Sequence, residues 1–322
     1  MANPTLDIVH IEQLMQDFSV AIMQDDTAFV YSQVFPNVPV SKESDKFEVM
    51  DRSYFMRDKA EVRTPGTESA GGHFKIKTDR YQVDEYSYHS FVTNRSIQNQ
   101  DSPIDLFKGA VMKVKNAIKR KLEDLFKENF MTPGKWTINL KGNTDFTYFD
   151  DAGSDPIKVI QEIKAQIHAV TGFKINTMVM TSDVFFKMPM NPTLRELLKY
   201  TQVANVGAFS PQALGNILGI EKVIIAEAIE ATSEEGQNDI ISYVTANRIL
   251  LAYVPPTVGL DVPASGVTFS HTKYAGNDFG FRIKILEDQH KDGFKVEGGM
   301  MCDMKLISPI LGALLTDVIK PL

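Results

Sequence analysis

The sequence predicts an α+β protein, and three features of the 322-residue chain support that class. Residues 102–130 repeat apolar side chains at helical spacing over an unusual length. Residues 45–95 are polar and aromatic with turn residues near their centre, which is typical of an extended β hairpin. Residues 156–254 alternate helix-like and strand-like segments, which indicates one compact α/β unit.

The composition is that of an ordinary globular protein: 43% of the residues are hydrophobic, 23% are charged, and the net charge is -7. This charge argues against a dedicated nucleic-acid binder, so any contact with nucleic acid must be local. Cys302 is the only cysteine, which excludes an intrachain disulfide and indicates a reducing compartment. We predict neither a signal peptide nor a membrane span, because the first residues lack a basic stretch and no run of about 18 apolar residues occurs.

The N-terminal part of the chain is predicted to form an arm. A narrow apolar stripe indicates a short helix from Asp7 to Gln24. No second helical segment precedes the long helix, so this stripe packs either on its own domain or on another subunit. The stripe consists of Ile8, Ile11, Met15, Phe18 and Ile22.

The hairpin of residues 45–95 has apolar Phe74 and Ile76 alternating with Lys75 and Lys77, and its turn residues concentrate in residues 64–72. Arms of about a dozen residues would each reach roughly 40 Å. Because an isolated two-stranded ribbon is marginal in water, we expect the hairpin to lie on a neighbour.

The long helix is predicted over residues 102–130, with Ser102 as its N-cap and Pro103 in the first turn. At 1.5 Å per residue it would span about 43 Å. Its predicted buried stripe is Phe107, Val111, Val114, Ile118, Leu122 and Leu125. Its predicted cationic strip is Lys113, Lys115, Lys119, Arg120 and Lys121.

The rest of the chain predicts a short hairpin, an α/β block and a return to further strands. The hairpin would pair residues 136–140 with residues 146–149 across Gly142 and Asn143. Helices are expected at 156–170, 192–200 and 211–218, and strands at 174–181, 222–228, 248–254, 267–273, 279–286 and 294–306.

Nothing in the sequence indicates catalysis. The six histidines are scattered, and adjacent Asp150 and Asp151 would point apart on a strand or begin a helix. The chain has no nucleophile-elbow serine, dinucleotide fingerprint or nucleotide P-loop. We therefore predict a protein that is not an enzyme, with no catalytic residue, no cofactor and no metal site.

The segment RDKAEVRTPGTESAGG from Arg57 to Gly72, followed by the long helix, resembles major capsid proteins of tailed bacteriophages. The lambda-type coat branch is the most similar, and LLAYVPP around Val254, Pro255 and Pro256 is a second, weaker point of resemblance. The resemblance covers nearly the whole chain and implies the Hong Kong-type phage capsid fold. Its parts would be an N-terminal arm (1–44), an extended loop (45–95), a peripheral domain (96–155 and 255–322) with spine helix 102–130, and an axial domain (156–254).

The resemblance implies a subunit that assembles into an icosahedral virion shell around double-stranded DNA, in hexamers and pentamers. Scaffold, portal and decoration proteins are further expected partners, with assembly in the host bacterial cytoplasm and no membrane. Arg57, Arg63 and Glu68 are the expected loop contacts. The cationic strip would meet DNA phosphates without sequence preference or, as an alternative, acidic residues of a neighbour such as those in residues 232–238.

Two other interpretations remain open from the sequence. One is an encapsulin-type compartment shell that holds enzyme cargo, and the other, from a different class, is a soluble α/β enzyme with an unrecognised site. Some capsids of this fold also join a hairpin lysine to a neighbour's asparagine. We expect no such bond here, because Lys75 and Lys77 alternate onto one polar face where water keeps them charged.

Overall fold

The computed structural model describes residues 26–50, 60, 62–69, 76–99, 106–200, 209–233, 237–238, 240–257, 262–272 and 281–321. The predicted N-terminal helix Asp7–Gln24, the start of the long helix before Leu106, and residues Arg57 and Lys75 lie outside them.

Local capping residues fix several of the helices. The Asp155 side chain accepts a hydrogen bond from the Lys158 amide, and Gly172 ends the same helix with a positive φ of 75°. The helices are α1 (Tyr31–Val34), α2 (Asn94–Gln98), α3 (Leu106–Phe130), α4 (Pro156–Thr171), α5 (Ser182–Lys187), α6 (Pro192–Tyr200) and α7 (Pro211–Leu218). Short 3-10 turns occur at Asp26–Ala28, Met188–Met190 and Pro309–Leu311.

Fourteen strands in the described part of the chain form two five-stranded sheets and two two-stranded ribbons. They are β1 (Asn37–Val40), β2 (Ser44–Met50), β3 (Ile76–Gln82), β4 (Asp84–Thr93), β5 (Ile138–Lys141), β6 (Thr177–Thr181), β7 (Lys222–Ala226), β8 (Ile229–Ala231), β9 (Ile241–Tyr243), β10 (Arg248–Ala252), β11 (Gly266–His271), β12 (Arg282–Asp288), β13 (Gly293–Leu306) and β14 (Gly312–Thr316).

The first five-stranded sheet is built on the long strand β13, which pairs antiparallel with β4, β11 and β12. Strand β1 extends this sheet by pairing parallel with β11. The long helix α3 packs across β13 and β4. At Gly298 on β13 an added Cβ would lie 2.5 Å from the Val114 side chain, so the missing side chain permits the close approach of helix and strand.

The second five-stranded sheet has the order β5-β14-β10-β6-β7. The predicted hairpin of residues 136–140 with residues 146–149 is wrong, because β5 pairs parallel with β14 instead. Residues 143–145 form a turn with Asn143 at φ 62°, and Phe146 makes only an isolated bridge with Gly142. The predicted α/β unit was residues 156–254 alone. Its sheet in fact also contains two strands from outside that range, β5 and β14.

The three inner strands of the second sheet, β14, β10 and β6, are buried on both faces, which explains their continuous apolar sequences. Val179, Leu250 and Leu314 point into the same core as α3. Alternate residues such as Met178 and Leu251 point to the other face, where α4 and α7 cover them. One sheet therefore joins the two main cores of the described chain.

The buried stripe of α3 differs from the predicted one. Val114, Ile118 and Leu122 are fully buried as expected, whereas the predicted members Phe107, Val111 and Leu125 are only half-buried. The buried stripe continues at every fourth residue to Phe126 and Phe130. These residues share a core with Val179, Leu250 and Leu314 of the second sheet, so both sheets bury side chains of α3. The apolar side chains buried along α3 are Ala110, Val114, Ile118, Leu122, Phe126 and Phe130.

The extended hairpin begins with β2 paired antiparallel to β3, from Ser44↔Gln82 to Met50↔Ile76. Residues 84–93 were predicted to belong to the same extended loop, but they form β4 and pair over ten residues with β13. The hairpin's second arm therefore leads directly into the first sheet. The polar and aromatic composition of residues 45–95 predicted extended chain but did not reveal that residues 84–93 pair with β13.

Candidate assembly interface

The root of the hairpin is packed on its own subunit through a small third core. The Tyr81 ring stacks on Phe269 with centroids 4.7 Å apart, and Phe47 contacts the same ring at 5.6 Å. Tyr81, Phe269 and Met301 are buried there, with Phe47 packed against them. The root of the hairpin is thus fixed on the first sheet before any neighbour is added.

Polar contacts hold the same root. Lys305 on β13 contacts Asp79 on β3 at 2.8 Å and donates a second hydrogen bond to the Arg80 carbonyl. The Gln82 amide donates to the Asp303 carboxylate at 3.0 Å. Burial raises the pKa of Asp303 in spite of that hydrogen bond. These contacts fix the direction in which the hairpin leaves the sheet.

The described part of the hairpin tip, residues 62–69, is exposed throughout. A turn at Pro65 and Gly66 is closed by the Arg63 Nε, which donates to the Thr67 carbonyl at 2.7 Å. Val62 is fully exposed, and the predicted contact residue Glu68 is exposed as well. Two of the three predicted hairpin contacts, Arg63 and Glu68, are therefore on an accessible turn.

The predicted cationic strip divides into residues with different surroundings. Lys113 and Lys121 are exposed, while Lys119 is half-buried with its Nζ 6.0 Å from the Phe29 ring centroid. Arg120 pairs with Glu230 at 3.7 Å. Lys127, which was not part of the prediction, reaches the same carboxylate at 3.8 Å. Lys115 is also half-buried.

Glu230 is on β8, at the base of the ribbon that β8 and β9 form. Glu230 is therefore close in sequence to the acidic segment 232–238 but is not part of it. The predicted alternative, pairing of the strip with acids, is in part an interaction within one subunit.

Glu123 is a buried acid on α3 that the sequence pattern did not single out. Its Oε2 accepts hydrogen bonds from the amides of Val30 at 3.0 Å and Tyr31 at 3.2 Å, at the start of α1. Burial raises the pKa of Glu123 to about 7 although these two N–H groups favour the charged form. Glu123 therefore ties residues 30–31 to the long helix.

The α/β unit carries large exposed apolar side chains. Phe186, Met190 and Leu197 follow one another along α5, the next 3-10 turn and α6, with exposed fractions of 63%, 70% and 41%. Ile240 and Ile241 are similarly exposed at the β8–β9 ribbon. Large exposed apolar side chains at these positions are candidates for contact with another molecule.

The described residues contain no group of three or more His, Cys, Asp or Glu that could hold a metal. Among the same residues, no helix is both long and apolar enough to cross a membrane. Asp150 and Asp151 do not begin a helix as predicted: Asp150 is 3.8 Å from Lys187, and Asp151 pairs with Lys320. Burial raises the pKa of the Cys302 thiol to about 12.

One known protein that the chain resembles in sequence is the major capsid protein of Burkholderia phage BcepMu. The two are 27% identical over 238 residues, which is 74% of this chain and 75% of that protein. No family model matches the chain.

Solved structures have the same fold over nearly the whole chain. A phage-related protein from Bordetella bronchiseptica RB50 superposes with a TM-score of 0.69 at 18% identity, covering 96% of this chain and 98% of that one. The capsid of cyanophage P-SCSP1u gives 0.59 at 12% identity, with 92% and 90% covered. The encapsulin SrpI of Synechococcus elongatus PCC 7942 gives 0.56 at 11% identity, with 94% and 95% covered.

The fold of the described residues is that of the phage capsid and encapsulin structures. The prediction of a major capsid protein of a tailed phage is confirmed by the BcepMu relative together with the phage capsid structures. The assignment to the lambda-type branch stays a prediction. The role of the chain is structural, as a component of the virion shell.

Proposed function

We propose that this chain is the repeating subunit of an icosahedral head shell that assembles as hexamers and pentamers in the host cytoplasm and encloses double-stranded DNA. The observation that supports this most strongly is the sequence likeness to the BcepMu capsid protein over 238 residues. The fold supplies the physical means, because a subunit with an outlying hairpin tip and an exposed apolar surface can bury area on several neighbours.

Within this proposal the domain boundaries are adjusted to the sheets. The axial domain comprises residues 156–254 with β5 added as the edge strand of their sheet and β14 next to it. The extended loop comprises the β2–β3 hairpin, and the peripheral domain comprises β1, β4, β11, β12 and β13 with the spine helix α3. Scaffold, portal and decoration proteins are the further partners that we propose for such a shell.

In the shell, Arg57, Arg63 and Glu68 of the extended loop contact the adjacent subunit. Lys113 and Lys121 of the cationic strip face the packaged DNA. Their contact with phosphates is electrostatic and independent of base sequence, and the negative net charge of the chain keeps it weak.

The direct test is electron microscopy of the purified full-length protein, with size-exclusion chromatography of the same sample. We expect closed icosahedral shells. A protein that elutes only as a monomer, with a bound small molecule, would support the soluble-enzyme alternative instead.

The encapsulin likeness gives a second candidate function, a shell around enzyme cargo. Particles from infected or expressing cells separate the two after treatment with external nuclease. Protected genome-length DNA supports the phage head, whereas a co-purified protein cargo without DNA supports the compartment. The phage assignment agrees better with the sequence relative.

A further inference from the structure

Residues 29–31 contact α3 at Lys119 and Glu123, and one face of the helix continues from there toward its N-terminal end. Glu123 holds the amides of Val30 and Tyr31, and the Phe29 ring is next to Lys119. Residues 108, 112, 115 and 119 follow one another at steps of three and four, so they share one face of the helix. This face, which we call the arm face, consists of Lys108, Met112, Lys115 and Lys119.

The chain that precedes this point has the opposite charge. Residues 1–26 contain five acids, Asp7, Glu12, Asp17, Asp25 and Asp26, and neither lysine nor arginine. The same segment carries the apolar stripe from Ile8 to Ile22. On a helix, Asp7 and Glu12 would flank that stripe on its two sides, because residues are spaced about 100° apart.

The dimensions agree as well. A helix of residues 7–24 would be about 27 Å long, and the arm face from Lys108 to Lys119 extends about 17 Å. Only a few residues separate Gln24 from Phe29, so the segment can reach the arm face of its own chain without crossing to a neighbour.

We propose that the acidic segment of residues 7–25 docks along the arm face of its own α3, with its apolar stripe over Met112 and its acids beside Lys108, Lys115 and Lys119. With this contact, two sides of the long helix would bind different partners. The arm face binds the chain's own N-terminal segment, and the row of Lys113 and Lys121 is left for DNA phosphates. The proposal does not depend on a DNA contact, so the two can fail separately.

Carbodiimide treatment of the full-length protein tests the contact, because this reagent joins a carboxylate to a lysine only when they touch. The protein is mixed from ¹⁴N- and ¹⁵N-labelled chains, and linked peptides are identified by mass spectrometry. We expect links from Asp7 or Glu12 to Lys108, Lys115 or Lys119 within chains of one label. Links between differently labelled chains, or no links to the arm face, would overturn the proposal.

Charge reversal supplies a matched pair of variants. In K115E/K119E, hydrogen exchange of residues 7–24 should become about fivefold to tenfold faster, because two attractive charge pairs become repulsive. The control K113E/K121E makes the same charge change on the other row of the same helix and should leave that exchange unchanged. Equal effects of the two variants would contradict the proposal, and the linking experiment decides the matter on the unaltered protein if K115E/K119E does not fold.

Discussion

At the scale of single residues, Glu123 couples the protonation state of the protein to the attachment of residues 30–31. Its carboxyl group is almost fully buried, and both of its amide donors bond to the same oxygen. A neutral carboxyl group keeps a carbonyl oxygen for these donors and avoids the cost of a buried charge. Burial therefore favours the protonated form of Glu123 up to a pH of about 7.

The sign of the resulting pH dependence follows from linkage. The folded pKa of about 7 is higher than the ordinary value of 4.5, so the contribution is fully present below pH 4.5 and is lost as the pH rises through 7. We expect the free energy of unfolding of the unassembled subunit to fall by up to about 3 kcal/mol across this range. Glu123→Gln, which retains an amide oxygen as acceptor, should abolish this fall.

Urea denaturation at a series of pH values measures the effect. The matched control is Glu128→Gln, which removes an exposed acid from the same helix and should leave the slope intact. If Glu123→Gln retained the slope of the unaltered protein, the titration would belong to another group.

The close contact of helix and strand at Gly298 gives a second prediction at this scale. A Cβ there would lie 2.5 Å from Val114 Cγ1 and 2.9 Å from Ile118 Cδ1, two fully buried side chains. Gly298→Ala should lower the free energy of unfolding by about 1–3 kcal/mol, because α3 must shift away from β13.

The neighbouring Gly299→Ala is the control, since its Cβ would meet no atom nearer than 3.6 Å. Denaturation curves of both variants give the comparison. Equal stability of the two would show that the helix accommodates the methyl group without cost.

At the scale of elements, the hairpin combines an anchored root with an exposed tip. The expectation that the hairpin depends on a neighbour therefore applies to the tip and not to the root, which has its own core and the Lys305 contacts. In unassembled subunits, amides of β2 and β3 near Ser44 and Gln82 should exchange slowly, and those of residues 62–69 should exchange fast.

Assembly into shells should slow the exchange of residues 62–69 while the root changes little. Hydrogen exchange with mass spectrometry on both states measures this. Strong and equal protection of the tip in both states would remove the proposed contact with a neighbour.

The exposed lysines of the long helix, Lys113 and Lys121, predict an affinity for DNA that depends on salt. If Lys113 and Lys121 neutralise phosphates, the K113Q/K121Q variant should reduce the slope of log affinity against log salt by about two. Fluorescence anisotropy with duplexes of two unrelated sequences should give the same reduction for both.

The control K141Q/K158Q removes two exposed lysines of the α/β unit that pair with Asp317 and Glu162. It should leave the slope unchanged. An identical slope for both double variants would exclude the proposed DNA contact of α3.

The elements that the sequence predicted well are those whose signals are local. The bounds of α6 and α7 agree with the prediction to the residue, because proline begins each helix and, for α7, Ser210 caps its start and Gly219 its end. The parallel pairing of β5 with β14 joins segments far apart in sequence, and nothing within residues 136–149 indicates it.

The candidate interface shows the same limit. The basic strip was visible in the sequence as a charge pattern. The sequence did not show which of its residues are exposed and which are paired, because the partner of Arg120, Glu230, is far away in the chain. The same holds for Glu123, whose hydrogen-bond donors include the distant Val30 amide. One sequence feature was relevant to Glu123. It directly follows Leu122, a predicted member of the buried stripe, and so lies at the border of that stripe.

At the scale of the whole molecule, we predict a shell held together without covalent bonds. The buried Cys302 thiol, with its pKa raised to about 12, is a poor nucleophile, so no disulfide network is expected. A lysine–asparagine bond would require a lysine made neutral by burial and a nearby carboxylate to move protons.

Particles boiled in denaturing detergent with reductant should therefore run as one band near 36.1 kDa. Omitting the reductant should not change the pattern. A ladder of higher bands that persists with reductant would reveal bonds formed by Lys75 or Lys77.

The ten-residue pairing of β4 with β13 determines how the subunit carries mechanical load. The hairpin continues through Val83 into β4, so a neighbour that pulls on the tip pulls on β4 through the backbone. Hydrogen bonds of an antiparallel pair are perpendicular to the strands, so the component of the pull along β4 loads them together rather than one after another. That load is shared along β13 and passed to the helix packed across it.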